Sequence, residues 1–275
     1  GLDASSLSVR ALDEYDDVFG DTEVVFPHGY DALASALADG LDIVLNSPVT
    51  AIDYRENTSV VVRTETQDYT ASKVLITVPL GVLKAGAIDF SPSLPSAKYA
   101  AIAALEMGLL DKLYLRFDNV FWENDILNVG YVNQAPGRFP YWLNLQPVTG
   151  EPVLLAFNGG DVALQLEGCT DADVLAEAMG VLRSIYGEGT PEPIDYRITR
   201  WAADQYSYGA YSALAMGATP DMRCDLAEPI DKRIFFAGEA THSQHPSTVH
   251  GAFLSGVREA ERILSDKPGR ANCDA

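Results

Sequence analysis

The chain has 275 residues, of which 47% are hydrophobic and 21% are charged. This length and composition are typical of a globular protein with one large or two small domains, and no apolar run approaches the roughly 20 residues that a membrane-spanning helix needs. The formal net charge of −20 argues against nucleic-acid binding, because a field of that sign repels phosphates and attracts cations.

The charge has a second explanation, which is an acidic surface that keeps the protein soluble. The three cysteines are widely spaced and form no C-x-x-C pair, which argues against a disulfide framework and a zinc site. His242 and His245 have no acidic or cysteine partner arranged as metal ligands. We therefore predict no bound metal. The first residues carry no targeting segment, and we expect a cytoplasmic protein.

The first third of the chain predicts a small α/β arrangement. Residues 1–29 are polar and without a clear period, which is typical of a solvated linker or the edge of a larger domain. A helix is predicted over 30–39, with Gly40 as its C-terminal stop. Short strands rich in β-branched residues follow, which suits an α/β domain with a β-meander. These strands are predicted at 43–46, 49–54, 59–64 and 74–78.

The middle of the chain alternates between strand and helix patterns. The strand that reaches Val78 is expected to break at Pro79 and to turn at Gly81. An alanine-rich helix is predicted over 97–105. Residues 112–117 then alternate between apolar and polar, as a half-buried strand does, and Lys112 falls on the polar side. On alternation alone, Lys112 is an ordinary solvated lysine.

Further strands and one amphipathic helix are predicted between 126 and 201. The strand candidates are 127–132, 141–145, 153–157 and 194–201. Residues 171–185 repeat apolar side chains at helical spacing, with Thr170 or Asp171 as the cap. Residues 200–212 crowd aromatic side chains together with glycine and serine, which is typical of a packed loop or hairpin.

The last informative stretch is a strand, a turn and a helix. Residues 234–237 form a short apolar run that ends at Gly238, which predicts a buried strand followed by a turn. Ser247 and Thr248 are good N-caps for a helix that begins at Val249. The unpaired amides of its first turn favour an anion or an electron-rich ring. One face of this helix collects its apolar and small residues, and we expect that face to pack inward. Those residues are Val249, Ala252, Phe253, Gly256, Val257, Ala260, Ile263 and Leu264.

Spacing alone does not separate this stretch from an ordinary strand, loop and packed helix, but its residues do. The string FFAGEATHSQHPSTVHGAFLSG (235–256) resembles the C-terminal flavin-binding signature of the FAD-dependent amine oxidases. That family includes polyamine oxidases, monoamine oxidases, L-amino-acid oxidases and lysine-specific histone demethylases. Residues 107–122 and 200–212 resemble two further family segments, and the resemblance covers nearly the whole chain.

The resemblance implies a mixed α/β fold made of two discontinuous domains. Residues 30–89 and 231–275 would belong to the FAD-binding domain, and residues 1–29 and 90–230 to a mixed-sheet substrate-binding domain. The family's G-x-G-x-x-G turn, which seats the pyrophosphate of FAD, is absent from this sequence. We therefore expect the chain to be the C-terminal portion of a longer protein, with the glycine-turn segment supplied by the same protein or by a second chain.

The resemblance also assigns roles to individual residues. Lys112 would hold a water against flavin N5, and Tyr211 would form part of an aromatic cage for the amine. Thr248 stands where monoamine oxidases complete a two-tyrosine cage, so the pattern is closer to that of the polyamine oxidases and histone demethylases. The residues expected to contact FAD are Val49, Pro79, Tyr206, Gly238, Glu239, Thr248 and Val249, and those expected to contact substrate are Tyr211 and Thr248.

The activity that the resemblance implies is the oxidation of a polyamine-like amine. A hydride equivalent would pass from the carbon next to the amine to flavin N5, and O₂ would reoxidise the flavin to give hydrogen peroxide. Two alternatives stay open. An L-amino-acid oxidase would need an arginine for the substrate carboxylate, either in the missing portion or here, where Arg138 and Arg200 are weak candidates. The other is a non-catalytic, peptide-binding relative that resembles the demethylases.

Overall fold

The structure is a computed structural model that describes residues 1–13, 26–133 and 136–265. The chain packs into two compact units. The first contains described residues 1–13, 44–108 and 204–265, and the second contains 26–43, 109–133 and 136–203. This division rests on packing alone, and the predicted assignment of residues to FAD-binding and substrate-binding domains stays a prediction.

The described residues contain both helices and strands, which confirms the mixed α/β class. The helices are α1 (Asp31–Ala38), α2 (Leu80–Lys84), α3 (Ser96–Ala104), α4 (Gln146–Thr149), α5 (Gly160–Glu167), α6 (Asp171–Tyr186), α7 (Asp221–Ala227) and α8 (Val249–Ser265). Two 3₁₀ helices lie at Val9–Asp13 and Glu239–Thr241.

The strands are short, as expected for an α/β protein with several small sheets. They are β1 (Val49–Asp53), β2 (Val60–Thr64), β3 (Asp68–Ala71), β4 (Val74–Ile76), β5 (Asp89–Ser91), β6 (Leu105–Gly108), β7 (Leu110–Arg116), β8 (Asn128–Gly130), β9 (Tyr141–Asn144), β10 (Val153–Gly159), β11 (Asp195–Ile198), β12 (Tyr211–Leu214) and β13 (Ile234–Phe236).

The first unit combines three sheets around one apolar core. Its largest sheet has the order β3-β2-β1-β5, in which β1 and β5 are parallel. Two further pairs are β12 with β6, antiparallel, and β13 with β4, parallel. The core between them is apolar and nearly fully buried, and it includes Ile52, Leu80, Leu105 and Phe236. The parallel pair matters most for function, because β4 and β13 both end at the site described below.

The second unit is built on an antiparallel sheet of order β11-β7-β10-β9-β8. On β7, Leu113 and Leu115 are buried whereas Lys112 is only half-buried, which confirms the predicted alternation. Helix α6 contributes to the apolar core of this unit, and its N-terminus is capped as predicted, by the Thr170 side chain accepting from the Asp173 amide (3.2 Å).

Several local predictions were wrong. Residues 43–46 form no strand. The expected turn at Gly81 lies inside α2, because Pro79 ends the extended chain and its fixed φ suits a helix start. The alanine-rich helix, by contrast, is confirmed as α3, which ends at Ala104 and passes directly into β6. Strand β3 and helix α5 were not predicted; β3 has no buried residue, so it lacks the apolar signal on which the prediction depended.

The orientation of α8 was also predicted wrongly. None of the residues expected on its inward face is buried, and Phe253 is 52% and Leu264 85% exposed. The buried face is mostly polar and contains Gly251, Ser255, Arg258 and Glu259. An amphipathic helix whose polar face points inward needs a hydrogen-bond partner for every buried polar atom.

Three smaller findings complete the fold. Residues 1–13 are not all solvated linker, because Ser8 donates to the carbonyl of Leu214 (3.0 Å) and Leu7 forms a bridge with Ala215. Cys224 is disulfide-bonded, which spacing did not indicate. Among the described residues, no helix has the length and apolar character needed to cross a membrane.

The buried side chain of Lys98, on α3, should make the stability of the chain depend on pH. Its side chain is 2% exposed and donates to the carbonyls of Asp225 (3.2 Å) and Leu226 (2.6 Å), and its Nζ lies 3.8 Å from the centroid of the Phe236 ring. Burial lowers the pKa of Lys98 from 10.5 to about 7. Between pH 7 and pH 10.5 Lys98 is protonated in the unfolded chain and mostly neutral in the folded chain. The free energy of unfolding therefore rises with pH in this range.

We expect the free energy of unfolding to rise by about 2 kcal/mol from pH 7 to pH 9 relative to a Lys98→Met variant. Chemical denaturation at the two pH values measures this difference, and Lys232→Met, at an exposed lysine of the same unit, is the matched control. An identical pH dependence in the natural chain and in Lys98→Met would refute the assignment.

Candidate functional site

The first unit contains a cavity of about 230 Å³ at the ends of the parallel strands β4 and β13. Crevices at the carboxyl ends of parallel strands are the usual ligand sites of α/β folds. Three segments form its walls, namely residues 76–80, residues 236–241 and Ala252 of α8. Leu83, Met107, Ser207, Ala210 and Leu226 complete the lining.

The first wall is the end of β4 and the start of α2. Pro79 and Leu80 line the cavity directly behind the strand. Gly81 is required there, since a Cβ at this position would lie 2.1 Å from the backbone oxygen of Ser207. Segment 207–210 is thereby brought close to α2, and Ser207 and Ala210 join the lining.

The second wall is the loop after β13. Gly238 has a φ of 124°, a conformation that favours glycine, and its amide donates to Ser255 Oγ of α8 (2.8 Å). The chain then forms the 3₁₀ helix Glu239–Thr241. Thr241 Oγ1 donates back to the carbonyl of Gly238 (2.8 Å), so this side chain is used within the loop.

Glu239 is held by three hydrogen bonds from the protein. Its Oε1 accepts from the amide of Ser212 (2.9 Å), and its Oε2 accepts from Ser212 Oγ (2.6 Å) and from the amide of Ser247 (2.7 Å). Ser247 Oγ in turn donates to the carbonyl of Ser212 (2.5 Å). The carboxylate therefore joins β12, the loop after β13 and the residue two positions before α8.

A buried arginine also takes part in the hydrogen-bond network around Glu239. Arg223 of α7 is fully buried, and its Nη1 donates to Ser212 Oγ (2.7 Å) and to the carbonyl of Ala240 (3.3 Å). The hydroxyl of Ser212 thus bridges a buried cation and the Glu239 carboxylate. Neither Ser212 nor Arg223 was predicted as a site residue. Ser212 had one signal, its position at the end of the aromatic segment 200–212, and Arg223 had none.

The buried polar face of α8 holds the other side of the same loop. Arg258 donates to the carbonyls of Thr241 (3.0 Å) and Phe236 (3.3 Å) and to Thr241 Oγ1 (3.0 Å). Glu259 is 0% exposed and accepts from Arg258 Nε (2.7 Å) and Arg262 Nη1 (3.0 Å). These contacts explain why the polar face points inward.

The start of α8 is capped as predicted. Thr248 Oγ1 accepts from the amide of Gly251 (3.0 Å) and donates to the carbonyl of His245 (2.7 Å). Gly251 permits this turn, because a Cβ on it would lie 1.8 Å from the His245 oxygen. The absence of a side chain at Gly251 therefore allows the backbone of His245 to approach closely.

The remaining residues of the predicted site are less closely grouped. Val49 begins β1 and does not line the cavity. Tyr206 is 60% exposed in the loop whose next residue, Ser207, does line it. Tyr211 begins β12, next to Ser212, and pairs with Gly108 of β6. Of the predicted FAD contacts, Pro79, Gly238 and Glu239 therefore share one cavity.

Lys112 belongs to the second unit. It is half-buried on β7, its amide donates to Thr199 Oγ1 (2.8 Å), and its carbonyl accepts from the Thr199 amide (3.0 Å). The backbone of Lys112 is thus fixed on both sides by one residue.

Residues 2–264 match the model of the flavin-containing amine oxidoreductases, and the chain belongs to this family. The fold agrees, since putrescine oxidase bound to putrescine superposes with a TM-score of 0.72 and 22% identity over 85% of this chain and 51% of that one. The cofactor that membership implies is FAD.

The curated relatives include lysine-specific histone demethylases and a polyamine oxidase, which belong to the branch of the family that the sequence resembles. Human lysine-specific histone demethylase 2 is 36% identical over 96% of the chain, and an Arabidopsis thaliana homologue of lysine-specific histone demethylase 1 is 39% identical over 98%. Rice polyamine oxidase 4 is 38% identical over 96% of the chain. The chain spans only 33% of each of these two demethylases and 54% of the polyamine oxidase.

The residues present fit a flavin. Four small residues, Ala237, Gly238, Ala240 and Ala252, line the cavity and allow a flat ring to approach closely. The polar side chains of the loop, Glu239 and Thr241, are held by protein partners as described above, and most of the residues that line the cavity are apolar. This is the composition expected of a cofactor site.

Two glycines of α8 provide a matched pair of substitutions. Gly251→Ala would place a methyl group against the His245 carbonyl and should destabilise the chain by about 1–3 kcal/mol. Gly256→Ala meets no atom within 4 Å and should stabilise it by up to about 1 kcal/mol, because alanine favours the helix. Thermal unfolding distinguishes the two, and equal effects would contradict the described loop geometry.

Proposed function

We propose that the chain is the C-terminal part of an FAD-dependent oxidase of polyamine-like amines. The observation that carries this proposal is the cavity at the ends of β4 and β13, lined by the family's Gly238–Thr241 loop and by Pro79. The names of the relatives support the substrate class, since they include a polyamine oxidase and a putrescine oxidase. The net charge of −20 favours approach of a polycation.

FAD would lie along the walls of the cavity. Gly238 and Pro79 would pack against it, and Glu239 would contact its ribityl or phosphate portion. The start of α8 at Thr248 and Val249 would lie near the ring, where the positive end of the helix dipole stabilises negative charge. Val49 would contact the adenine through its backbone, and Tyr206 would lie beside the isoalloxazine.

The substrate would be oriented by residues of this chain while FAD, when bound, accepts the hydride equivalent from the carbon next to the amine nitrogen. Tyr211 and Thr248 would form the wall that orients the amine lone pair. Lys112 would hold a water by hydrogen bonding, which serves imine hydrolysis or the reaction with O₂ that releases hydrogen peroxide. The neutral amine is the reactive form, because its lone pair must be available.

The exposed apolar face of α8 supports a partner segment. Phe253, Val257 and Leu264 are 40% exposed or more and lie on one side of the helix, with the unhindered Gly256 between them. Exposed apolar stripes of this kind mark interaction surfaces. We infer that the glycine-turn segment of the FAD-binding domain covers this face, whether it comes from the same protein or from a second chain.

A demethylase-like protein is the second candidate. The histone demethylases among the relatives are as similar to this chain as the polyamine oxidase is, at 36–42% identity against 38%. Such a protein would bind a basic peptide, which the acidic net charge also favours. Arg138 is paired with Glu177 (2.7 Å) and Arg200 with Asp171 (2.5 Å), so the carboxylate-binding arginine of an L-amino-acid oxidase would have to lie in the portion of the protein outside this chain.

The proposal is tested by peroxide release from the assembled flavoprotein. Spermidine, spermine and putrescine should give hydrogen peroxide, whereas L-amino acids should give none. Turnover of a methyllysine peptide without polyamine turnover would favour the demethylase-like candidate. A flavoprotein that is reduced by L-amino acids alone would overturn the assignment to polyamine-like amines.

Lys112→Met should separate the two half-reactions. Loss of the lysine removes the water that it positions, so reoxidation by O₂ should slow by about 100-fold, while anaerobic reduction by the amine should change far less. Stopped-flow absorbance measures both steps, with Lys232→Met as a control at an exposed lysine. Unchanged reoxidation would remove Lys112 from the proposed site.

A further inference from the structure

The second unit contains two neighbouring carboxyl groups, the buried Asp111 and the half-buried Glu167, to which the proposed chemistry assigns no role. Asp111 of β7 is 6% exposed, and its Oδ1 accepts from Thr199 Oγ1 (2.8 Å) and from the Trp201 amide (3.2 Å). Its Oδ2 is buried and has no amide or hydroxyl donor among the described residues. A buried charged oxygen without a donor is costly, so this atom requires an explanation.

The group in hydrogen-bond contact with Asp111 is the carboxyl of Glu167, the last residue of α5. Two carboxylates cannot donate to each other, so the contact becomes a hydrogen bond only when one of them carries a proton. Glu167 is otherwise occupied as an acceptor, from the amides of Ala202 (2.7 Å) and Ala203 (3.0 Å). Burial, with a contribution from Glu167, raises the pKa of Asp111 to about 6.

Within the described part of the chain, no cation forms an ion pair with either carboxyl group. Arg200 donates to the carbonyls of Leu166 and Glu167, but its charge is paired with Asp171 of α6. From β10 the neighbouring polar group is the neutral Asn158, which accepts from the Phe139 amide. The neighbour on the strand, Lys112, falls on the opposite face of β7 by alternation.

The pair holds one segment from two sides. Asp111 binds Thr199 and Trp201, and Glu167 binds the two residues that follow. Thr199 also bonds both the amide and the carbonyl of Lys112. The Thr199 hydroxyl therefore connects the carboxyl group of Asp111 to the backbone of Lys112.

We propose that Asp111 carries a proton that it donates to Glu167, and that the two side chains act as a clamp that fixes residues 199–203 and the backbone of Lys112. Asp111 is a positioning residue in this arrangement, since it acts through Thr199. The contribution of the clamp to catalysis rests on the proposed role of Lys112. The existence of the clamp does not depend on that role.

The test is the pH dependence of unfolding of the chain without flavin or amine. The pKa of Asp111 is raised in the folded state, so its contribution to stability is complete below its ordinary pKa of 3.8 and is lost as the pH rises through about 6. The unfolding constant should therefore increase by about 100-fold from pH 4 to pH 7 relative to Asp111→Asn. The asparagine donates permanently to Glu167 and still accepts from Thr199 and Trp201.

Asp118→Asn, at an exposed aspartate of the same unit, is the matched control and should keep the natural pH dependence. The proposal is overturned if Asp111→Asn shows the same pH dependence as the natural chain. Carbon-13 NMR titration of the natural chain gives a measurement that needs no variant. A Cγ resonance of Asp111 that titrates near the ordinary aspartate pKa would also overturn it. Neither result bears on amine oxidation, so the two proposals fail separately.

Discussion

The loop after β13 is held in place by buried charges, and the candidate site depends on this constraint. Arg258 of α8, which is paired with Glu259, binds one side of the loop, while Ser212, backed by Arg223, binds Glu239 on the other. Removing one member of such a network leaves a buried charge without its partner, which typically costs about 3–5 kcal/mol. The loop is consequently rigid before any ligand binds, and rigid supports are what cofactor sites require.

The same constraint fixes the orientation of α8 and explains the one large error of the sequence analysis. Helical periodicity identified the helix and its start correctly, but the inward face was assigned to the apolar residues by the rule for isolated globular domains. Arg258 reverses that rule, because it donates to loop carbonyls that an apolar side chain cannot satisfy, and Glu259 accompanies it as the partner of its charge. The apolar face is left for another segment. Periodicity alone does not distinguish these two cases.

Other parts of the site differ in how far the sequence determines them. The motif at 235–256 led to the cavity because its glycines and its cap have strict backbone requirements at Gly238, Thr248 and Gly251. The partners of Glu239 were not predicted, since Ser212 lies 27 positions away in the chain and Ser247, only 8 positions away, was interpreted as a helix cap. Asp111 was overlooked for a similar reason. It lies next to Lys112 in an alternating strand, and its partner Glu167 lies on a helix that was not predicted.

The most direct test of the account is whether the cavity between β4, the Gly238–Thr241 loop and α8 holds the flavin. The measurement is the visible flavin absorbance per chain of the purified assembled protein, compared between the natural sequence and Ala252→Phe. Ala252 lines the cavity, and a phenyl ring there would occupy part of its volume of about 230 Å³. The account predicts an oxidised-flavin spectrum for the natural protein and its loss in the variant, with far-ultraviolet circular dichroism unchanged. A natural protein that binds no flavin, or a variant that retains it fully, would contradict the account.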